Sequence, residues 1–155
     1  IMIEVMAVKA KEIMSKDVIS VHKDTTIKEI AKVLIDNKIS GVPVIDEGGN
    51  LVGMVSEGDL LHKETSPRLP DVVNILGAII YYNGVQRYNE DFKKLIAEQA
   101  ESIMTRKVIT VSEETEVDAI AKLMLEHGIK RVPVMNGRKM VGIISRADII
   151  KLLLN

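Results

Sequence analysis

An internal repeat constrains the fold of this chain more than any other sequence feature. The run from Ile13 to Val21 returns from Ile103 to Val111, an offset of 90 residues, with three conservative changes and one charge reversal, Asp17 to Lys107. The same offset relates the Val-Pro-Val triplets at residues 42–44 and 132–134, and an offset of 89 relates two Gly-x-x-Ser-x-x-Asp motifs. A collinear match of this length predicts two copies of one structural unit.

Each copy has the pattern of a strand, a helix, a hairpin and a second helix. The first strand is predicted at residues 18–21 and 108–111, which are rich in β-branched residues. A helix follows, starting in the first copy at Thr25 or Thr26, whose hydroxyl can cap it. The hairpin in the second copy closes through Asn136-Gly137, a dipeptide suited to a type I′ turn.

Proline limits where the first hairpin strand of each copy can lie. Pro43 and Pro133 lack the backbone N–H that a central ladder uses. We therefore expect these strands to lie at a sheet edge or to begin near the proline. The last helix of each copy is predicted to begin at Ser56 or Ser145.

Residues 64–96 separate the copies and are predicted to be a helical insertion. The apolar residues from Val72 to Ile80 and from Phe92 onward follow helical spacing, the latter after a capping Asn89. All aromatic residues of the chain lie here, at Tyr81, Tyr82, Tyr88 and Phe92. They indicate either a contact surface for a partner or a cover for the protein's own core.

Composition excludes several classes of protein. The 155 residues contain no cysteine, which rules out disulfides, thiol catalysis and Cys-ligated metal centres. The net charge of −1 lacks the basic excess typical of nucleic-acid binding. The N-terminal residues do not resemble a signal peptide, and the longest apolar run is too short to cross a bilayer. We expect a cytoplasmic protein that binds neither nucleic acid nor membrane.

The Gly-x-x-Ser-x-x-Asp motif has two interpretations. Ser56 with Asp59, and Ser145 with Asp148, have the spacing of a helix cap, which is a purely structural role. A carboxylate in the first turn of a helix can also accept the two hydroxyls of a ribose.

Apolar and basic residues near these motifs fit a nucleotide. A purine ring could pack against four apolar side chains, which are Ile19, Val42, Ile109 and Val132. Lys130 and Arg131 can bind a phosphate, whereas the matching Ser40 and Gly41 carry no charge. The second copy is therefore the preferred phosphate-bearing site.

These motifs, doubled and in order, resemble a tandem pair of cystathionine β-synthase (CBS) domains, or Bateman module. The resemblance implies an α+β fold of two βαββα repeats with pseudo-two-fold symmetry, at residues 7–63 and 97–154. It implies ribose contacts at Asp59 and Asp148, hydroxyl contacts at Ser56 and Ser145, and purine packing that includes Pro43 and Pro133. It also implies a disc-like homodimer and an adenosine ligand between the repeats, such as AMP, ADP, ATP or S-adenosylmethionine.

Features of a catalytic site are missing from the sequence. The chain has neither a Walker-type loop nor two histidines at metal-ligand spacing, and its three histidines are dispersed. We therefore predict a regulatory module with no catalytic residue, no metal and no required cofactor, which reversibly binds an adenosine-derived ligand. The alternative is a ligand-free scaffold for oligomerisation or protein interaction. The residues carry no motif that identifies the regulated protein.

Overall fold

The computed structural model describes residues 7–61, 71–75 and 78–154, with the backbone alone for 71–75 and 78–83. The first repeat forms α1 (Ala10–Ile13), β1 (Val21–His22), α2 (Ile27–Asn37), β2 (Gly41–Ile45), β3 (Leu51–Ser56) and α3 (Glu57–Leu60). The segment between the repeats forms β4 (Asp71–Ile75), β5 (Ala78–Asn83) and α4 (Val85–Ala97). The second repeat forms α5 (Ala100–Ile103), β6 (Val111–Ser112), α6 (Val117–His127), β7 (Arg131–Asn136), β8 (Lys139–Ser145), α7 (Arg146–Lys151) and a 3₁₀ turn, Leu152–Leu154.

The predicted α+β class is confirmed, because each repeat builds a three-stranded sheet accompanied by helices. The sheet orders are β1-β2-β3 and β6-β7-β8. Strands β2 and β7 are thus central in their sheets, and the expectation of an edge position is wrong. Both strands begin two residues before their proline, at Gly41 and Arg131, as the other alternative expected. The parallel partner of β7, strand β6, pairs only with Val134 and Met135, just beyond Pro133. Pro133 therefore lies before the β6–β7 ladder, in which a backbone N–H would be needed. The missing N–H also explains why β6 begins at Val111 and not at residue 108.

The turn between β7 and β8 differs from the predicted type. Asn136 pairs with Lys139, so the loop residues are Gly137 and Arg138. Among the residues of this turn only Gly137 has a positive φ, of 62°. A glycine at the first loop position fits a type II′ turn, and the predicted type I′ turn at Asn136-Gly137 is wrong.

The two long helices of the repeats bury the apolar faces that the sequence predicts. Thr26 caps α2 by accepting from the Glu29 N–H at 3.3 Å, and the Glu29 carboxylate accepts from the Thr26 N–H at 2.9 Å. Helix α2 buries Ile27, Ile30 and Leu34, while α6 buries the equivalent Val117, Ile120 and Met124. The amphipathic spacing is confirmed at these positions, whereas Ile35 and Leu125, which continue the predicted apolar stripes, are exposed.

The insertion is only partly helical. The described residues of the segment predicted as a helix from Val72 to Ile80 belong to the antiparallel strands β4 and β5, in which Val73 pairs with Ile80. Residues 76 and 77 of that prediction lie outside the described residues. The β-branched residues of β4 and β5 favour strands, and spacing alone cannot distinguish the two structures in a nearly continuous apolar run. Helix α4 does exist, but it begins at Val85 after Gly84, whose φ is 79°. Asn89 therefore lies inside the helix and does not cap it.

The chain divides into two compact units that do not follow the repeats. Unit I comprises the described parts of Ile1–Ser20, Ile45–Gly53 and Arg106–Asn155, and unit II those of Val21–Val44 and Met54–Thr105. Within unit I, Ser15 and Ile143 exchange backbone hydrogen bonds of 2.9 and 3.0 Å. Within unit II, Met54 and Thr105 exchange the equivalent bonds. The repeat bounds of 7–63, 64–96 and 97–154 stay predictions.

The core of unit I lies between the β6-β7-β8 sheet and the helices α1 and α6. Its buried side chains are Ala10, Val111, Ile120, Met124, Val132, Val134 and Ile144. Within the described ranges, none of the helices combines the length and the apolar character needed to span a bilayer.

Candidate functional site

Strand β8 runs directly into helix α7 at a corner formed by Ser145 and Asp148. The Ser145 N–H donates to Asp148 Oδ2 at 2.8 Å, and the Asp148 N–H donates to Ser145 Oγ at 3.3 Å. This reciprocal pair is a capping box. The structural interpretation of the motif is therefore confirmed, and both side chains are half-buried.

Backbone contacts bring the basic residues of β7 to this corner. The Arg146 N–H donates to the Lys130 carbonyl oxygen at 3.0 Å, and Arg131 lies opposite Ser145 in the β7–β8 ladder. Arg146 Nε–H also donates to the Ile129 carbonyl oxygen at 3.0 Å. Three basic side chains therefore start at backbone positions around Asp148. Sequence analysis did not identify Arg146 as a site residue, although its position inside the Ser145–Asp148 motif could have indicated it.

The apolar residues predicted around the purine differ in burial. Val132 and Pro133 are fully buried, and Val132 belongs to the core of unit I. Ile109 packs against the same core and is half-buried. Ile19 is 38% exposed, so it offers the most surface of the four to a ligand.

Unit II contains an equivalent corner at Ser56 and Asp59. The Ser56 N–H and Oγ–H donate to Asp59 Oδ2 at 2.8 and 3.2 Å. The Glu57 N–H donates to the Ser40 carbonyl oxygen at 2.9 Å, as Arg146 does to Lys130. Val42 and Pro43 are buried.

The two corners differ in charge and not in backbone geometry. Ser40 and Gly41 take the places of Lys130 and Arg131, and Glu57 takes the place of Arg146. The unit II corner therefore carries two carboxylates, Glu57 and Asp59, where the unit I corner carries three cations and one carboxylate. Of the two corners, as far as their residues are described, the one in unit I therefore has the charge that favours an anionic ligand.

Capping does not exhaust the hydrogen-bonding capacity of Asp148. An ionised carboxylate has about four acceptor sites, and the cap engages Oδ2. The same side chain can thus hold the corner and accept hydroxyl groups from a sugar. Ser145 and Asp148 form their side-chain hydrogen bonds with each other. No histidine among the described residues takes part in these hydrogen bonds.

The aromatic residues of the insertion lie partly outside the described side chains. Tyr81 and Tyr82 are in β5, where only the backbone is described. Tyr88 and Phe92 are on α4, with ring centroids 6.5 Å apart, and Phe92 is 45% exposed. Their predicted role as a partner surface stays a prediction.

Comparison with known proteins decides the family. The CBS domain family model matches residues 10–65 and again residues 100–155. The chain belongs to the CBS domain family. It is 30% identical to the uncharacterized protein MJ1426 of Methanocaldococcus jannaschii, over 97% of this chain and 93% of that protein. It is 31% identical to the CBS domain-containing protein DDB_G0289609 of Dictyostelium discoideum, over 96% and 93% of the two chains.

Solved CBS structures share the fold. The CBS domain pair of protein MJ0100, in complex with 5-methylthioadenosine and S-adenosyl-L-methionine, has a TM-score of 0.67 and 31% identity, covering 94% of this chain and 95% of that chain. The CBS domain of a membrane protein from Sphaerobacter thermophilus has a TM-score of 0.71 and 28% identity, covering 96% and 90%. CBSX2 in complex with AMP has a TM-score of 0.71 at 23% identity, covering 94% and 96%, and is similar in fold alone.

Proposed function

We propose that this chain is a regulatory module that reversibly binds an adenosine-derived ligand at the Ser145–Asp148 corner of unit I. The observation that carries the proposal is the hydrogen bond from the Arg146 N–H to the Lys130 carbonyl, which joins the backbone of Lys130 to the turn that contains Ser145 and Asp148. The MJ0100 CBS pair, 31% identical, binds adenosine derivatives. Binding needs no bond to be made or broken, so the proposed module is not an enzyme.

Each group at the corner has a distinct part in the proposed binding. Asp148 accepts the ribose hydroxyls while it caps α7, and the Ser145 hydroxyl contributes a second polar contact. The exposed part of Ile19, together with Ile109, packs against the purine. Arg131 and Lys130 bind the phosphate, with the guanidinium able to donate two parallel hydrogen bonds.

The charge of the corner selects among adenosine ligands. Lys130, Arg131 and Arg146 attract the phosphate of AMP, ADP or ATP. The sulfonium of S-adenosylmethionine is itself cationic and is repelled by the same groups. We therefore expect adenine nucleotides to bind more tightly than S-adenosylmethionine or 5-methylthioadenosine.

Thermal unfolding of nucleotide-free protein tests the proposal. A ligand at about 100 times its Kd stabilises a protein by about 2.7 kcal/mol, which raises the midpoint by roughly 5 to 10 °C in a chain of this size. We expect this shift with AMP, ADP or ATP, a smaller one with adenosine, and none with GTP. Asp148→Asn should abolish the shift, and Arg131→Gln should weaken AMP binding about tenfold without affecting adenosine.

Asp59→Asn is the matched control, because it changes the equivalent cap in unit II. It should leave the AMP shift intact. A flat panel, or equal loss of the shift in both Asp→Asn variants, would contradict the proposal. A flat panel would favour the alternative, a ligand-free scaffold, for which the exposed Phe92 and Val85 of α4 are the specific evidence.

Self-association into a homodimer is part of the same proposal. Leu125 on α6 and Ile150 on α7 are exposed, and so are their repeat equivalents Ile35 and Leu61. Exposed leucine and isoleucine side chains thus occur at matching positions of the two repeats. This favours a second copy of this chain as the partner that covers them, since symmetric interfaces reuse one surface. Light scattering should give twice the 17.2 kDa chain mass. Leu125→Glu should give a monomer, the exposed Lys122→Glu should not, and a monomeric wild type would refute the dimer.

A further inference from the structure

A groove in unit I lies at the turn end of the β7–β8 hairpin. Its volume is about 410 Å³, within the range of small-molecule sites. The ladder places Asn136 and Lys139 at this end and Arg131 and Ser145 at the other. Five residue steps along an extended strand span about 16 Å. The groove is therefore separate from the Ser145–Asp148 corner.

Two arginines give the groove its charge. Arg106 comes from the loop that precedes β6, and Arg138 comes from the β7–β8 turn; both are exposed. Asn50 and Thr110 add an amide and a hydroxyl to the lining. None of the described residues that line the groove has a carboxylate, so its wall carries two positive charges. Two guanidinium groups at one groove are suited to a phosphate.

The rest of the wall is apolar. Leu51, Val108 and Met135 line the groove, and each is half-buried. Small-molecule sites commonly combine such apolar surface with a few polar anchors. A free inorganic ion would leave this surface unused, whereas a molecule with an apolar body would cover it.

The position of Asn50 is fixed by its surroundings. Its N–H donates to Asp46 Oδ1 at 2.9 Å, and its side-chain amide donates to Asp46 Oδ2 at 3.3 Å. Asn50 also forms an isolated antiparallel bridge with Lys139. The two hairpin turns are thereby held together on one side of the groove.

The arginine pair does not follow from the repeat. Lys16 is the repeat equivalent of Arg106, and Gly49 is the equivalent of Arg138. The first-repeat turn also contains an acidic residue, Glu47. A positive charge at the Arg106 position is therefore common to both copies, whereas the charge that Arg138 adds at the turn is present in the second copy alone.

We propose that this groove binds a small phosphorylated molecule with an apolar body. Arg106 and Arg138 hold the phosphate, and Leu51, Val108 and Met135 pack against the body. This inference does not rest on the proposed adenosine site, because the two sites share no residue.

Titration with phenyl phosphate, followed by calorimetry and phosphorus NMR, tests the proposal. We expect saturable binding of one molecule per chain, with Arg106→Gln and Arg138→Gln each weakening it about tenfold or more. Arg87→Gln removes an exposed arginine from α4 and should leave binding unchanged. Asp148→Asn should also leave it unchanged, which separates this site from the adenosine corner. Unfolding midpoints of the arginine variants check that they fold.

Ligand controls separate the phosphate from the apolar body. Inorganic phosphate should bind more weakly than phenyl phosphate, and phenol should not bind. Inorganic phosphate binding as tightly as phenyl phosphate would overturn the assigned ligand class. The site itself would be refuted by an absence of saturation up to about 10 mM, or by equal binding to the wild type and both folded arginine variants.

Discussion

Gly142→Ala is expected to destabilise unit I because the glycine lies against the side chain of Met14. A Cβ at residue 142 would lie 2.5 Å from Met14 Sδ and 2.7 Å from Met14 Cγ. Both distances are far below van der Waals contact, so the methionine must move. Met14 is half-buried against the core of unit I, which limits where it can go. Overpacking of this kind costs about 1–3 kcal/mol.

The matched control is Gly58→Ala, at the helix α3 that follows the unit II corner. There the nearest atom to an added Cβ is Ser56 Oγ at 3.6 Å, an ordinary contact. Replacing a helical glycine without strain gains about 0.4–1 kcal/mol. The two Gly→Ala changes should therefore have opposite signs.

Urea and thermal unfolding measure both effects. A cost of about 2 kcal/mol lowers the midpoint by roughly 4 to 8 °C in a chain of this size. The double variant Met14→Ala/Gly142→Ala should be more stable than the sum of its single variants predicts, because the clash is then absent. An unchanged midpoint for Gly142→Ala, or strict additivity in the cycle, would refute the packing argument.

Two further predictions concern the repeats and their ion pairs. Lys38 ends α2 with a φ of 54°, whereas its repeat equivalent Gly128 ends α6 with a φ of 62°. Lys38→Gly should therefore stabilise the protein by up to about 1 kcal/mol, and Gly128→Ala should destabilise it by a similar amount. Urea unfolding midpoints measure both changes, and midpoints that shift in the same direction would contradict the prediction. Hydrogen bonds from Lys11 and Lys9 lower the pKa of Glu114 to about 2 from 4.5. The stabilisation from this lowered pKa is complete above pH 4.5 and is lost as pH falls towards 2. The midpoint difference between wild type and Glu114→Gln should shrink over that window, and a difference that does not change from pH 7 to pH 2 would contradict it.

Local sequence patterns predicted the parts of the fold that depend on local contacts. The Thr26–Glu29 capping box and the buried faces of α2 and α6 were predicted because their partners lie three or four residues apart. The turn type was not predictable in this way. The β7–β8 register shifts between the pair Val134–Gly142 and the pair Met135–Met140, which leaves Val141 as an extra residue. That irregularity makes Gly137-Arg138 the loop, which a dipeptide rule cannot detect.

The insertion shows where periodicity fails. Between Val72 and Ile80 most residues are apolar, so helical and strand spacings both find matches. The side chains are largely β-branched, and the described backbone forms two antiparallel strands. The segment after Gly84 contains enough polar residues for the helical period to be distinct, and there the helix was predicted with only its start misplaced.

Candidate site residues were predictable where they belong to a motif. Ser145 and Asp148 share a motif, and the repeat drew attention to it. The groove at Arg106 and Arg138 was not predictable, since two chain segments 32 residues apart meet there only in the folded unit. A comparison of charge between repeat equivalents, applied to turns as well as to motifs, would have identified Arg138 opposite Gly49.

Duplication of the Ser-x-x-Asp corner is not by itself evidence for two ligand sites. Both corners keep the capping box, because each is needed to join a strand to a helix, whatever the ligand does. In the proposed site, ligand binding also uses the Asp148 carboxylate for the ribose, and it constrains the charge of the neighbouring residues. Those neighbours diverge, with Lys130, Arg131 and Arg146 in unit I against Ser40, Gly41 and Glu57 in unit II. Asp59→Asn and Asp148→Asn should therefore cost similar stability, about 1 kcal/mol or less, while only Asp148→Asn changes nucleotide affinity.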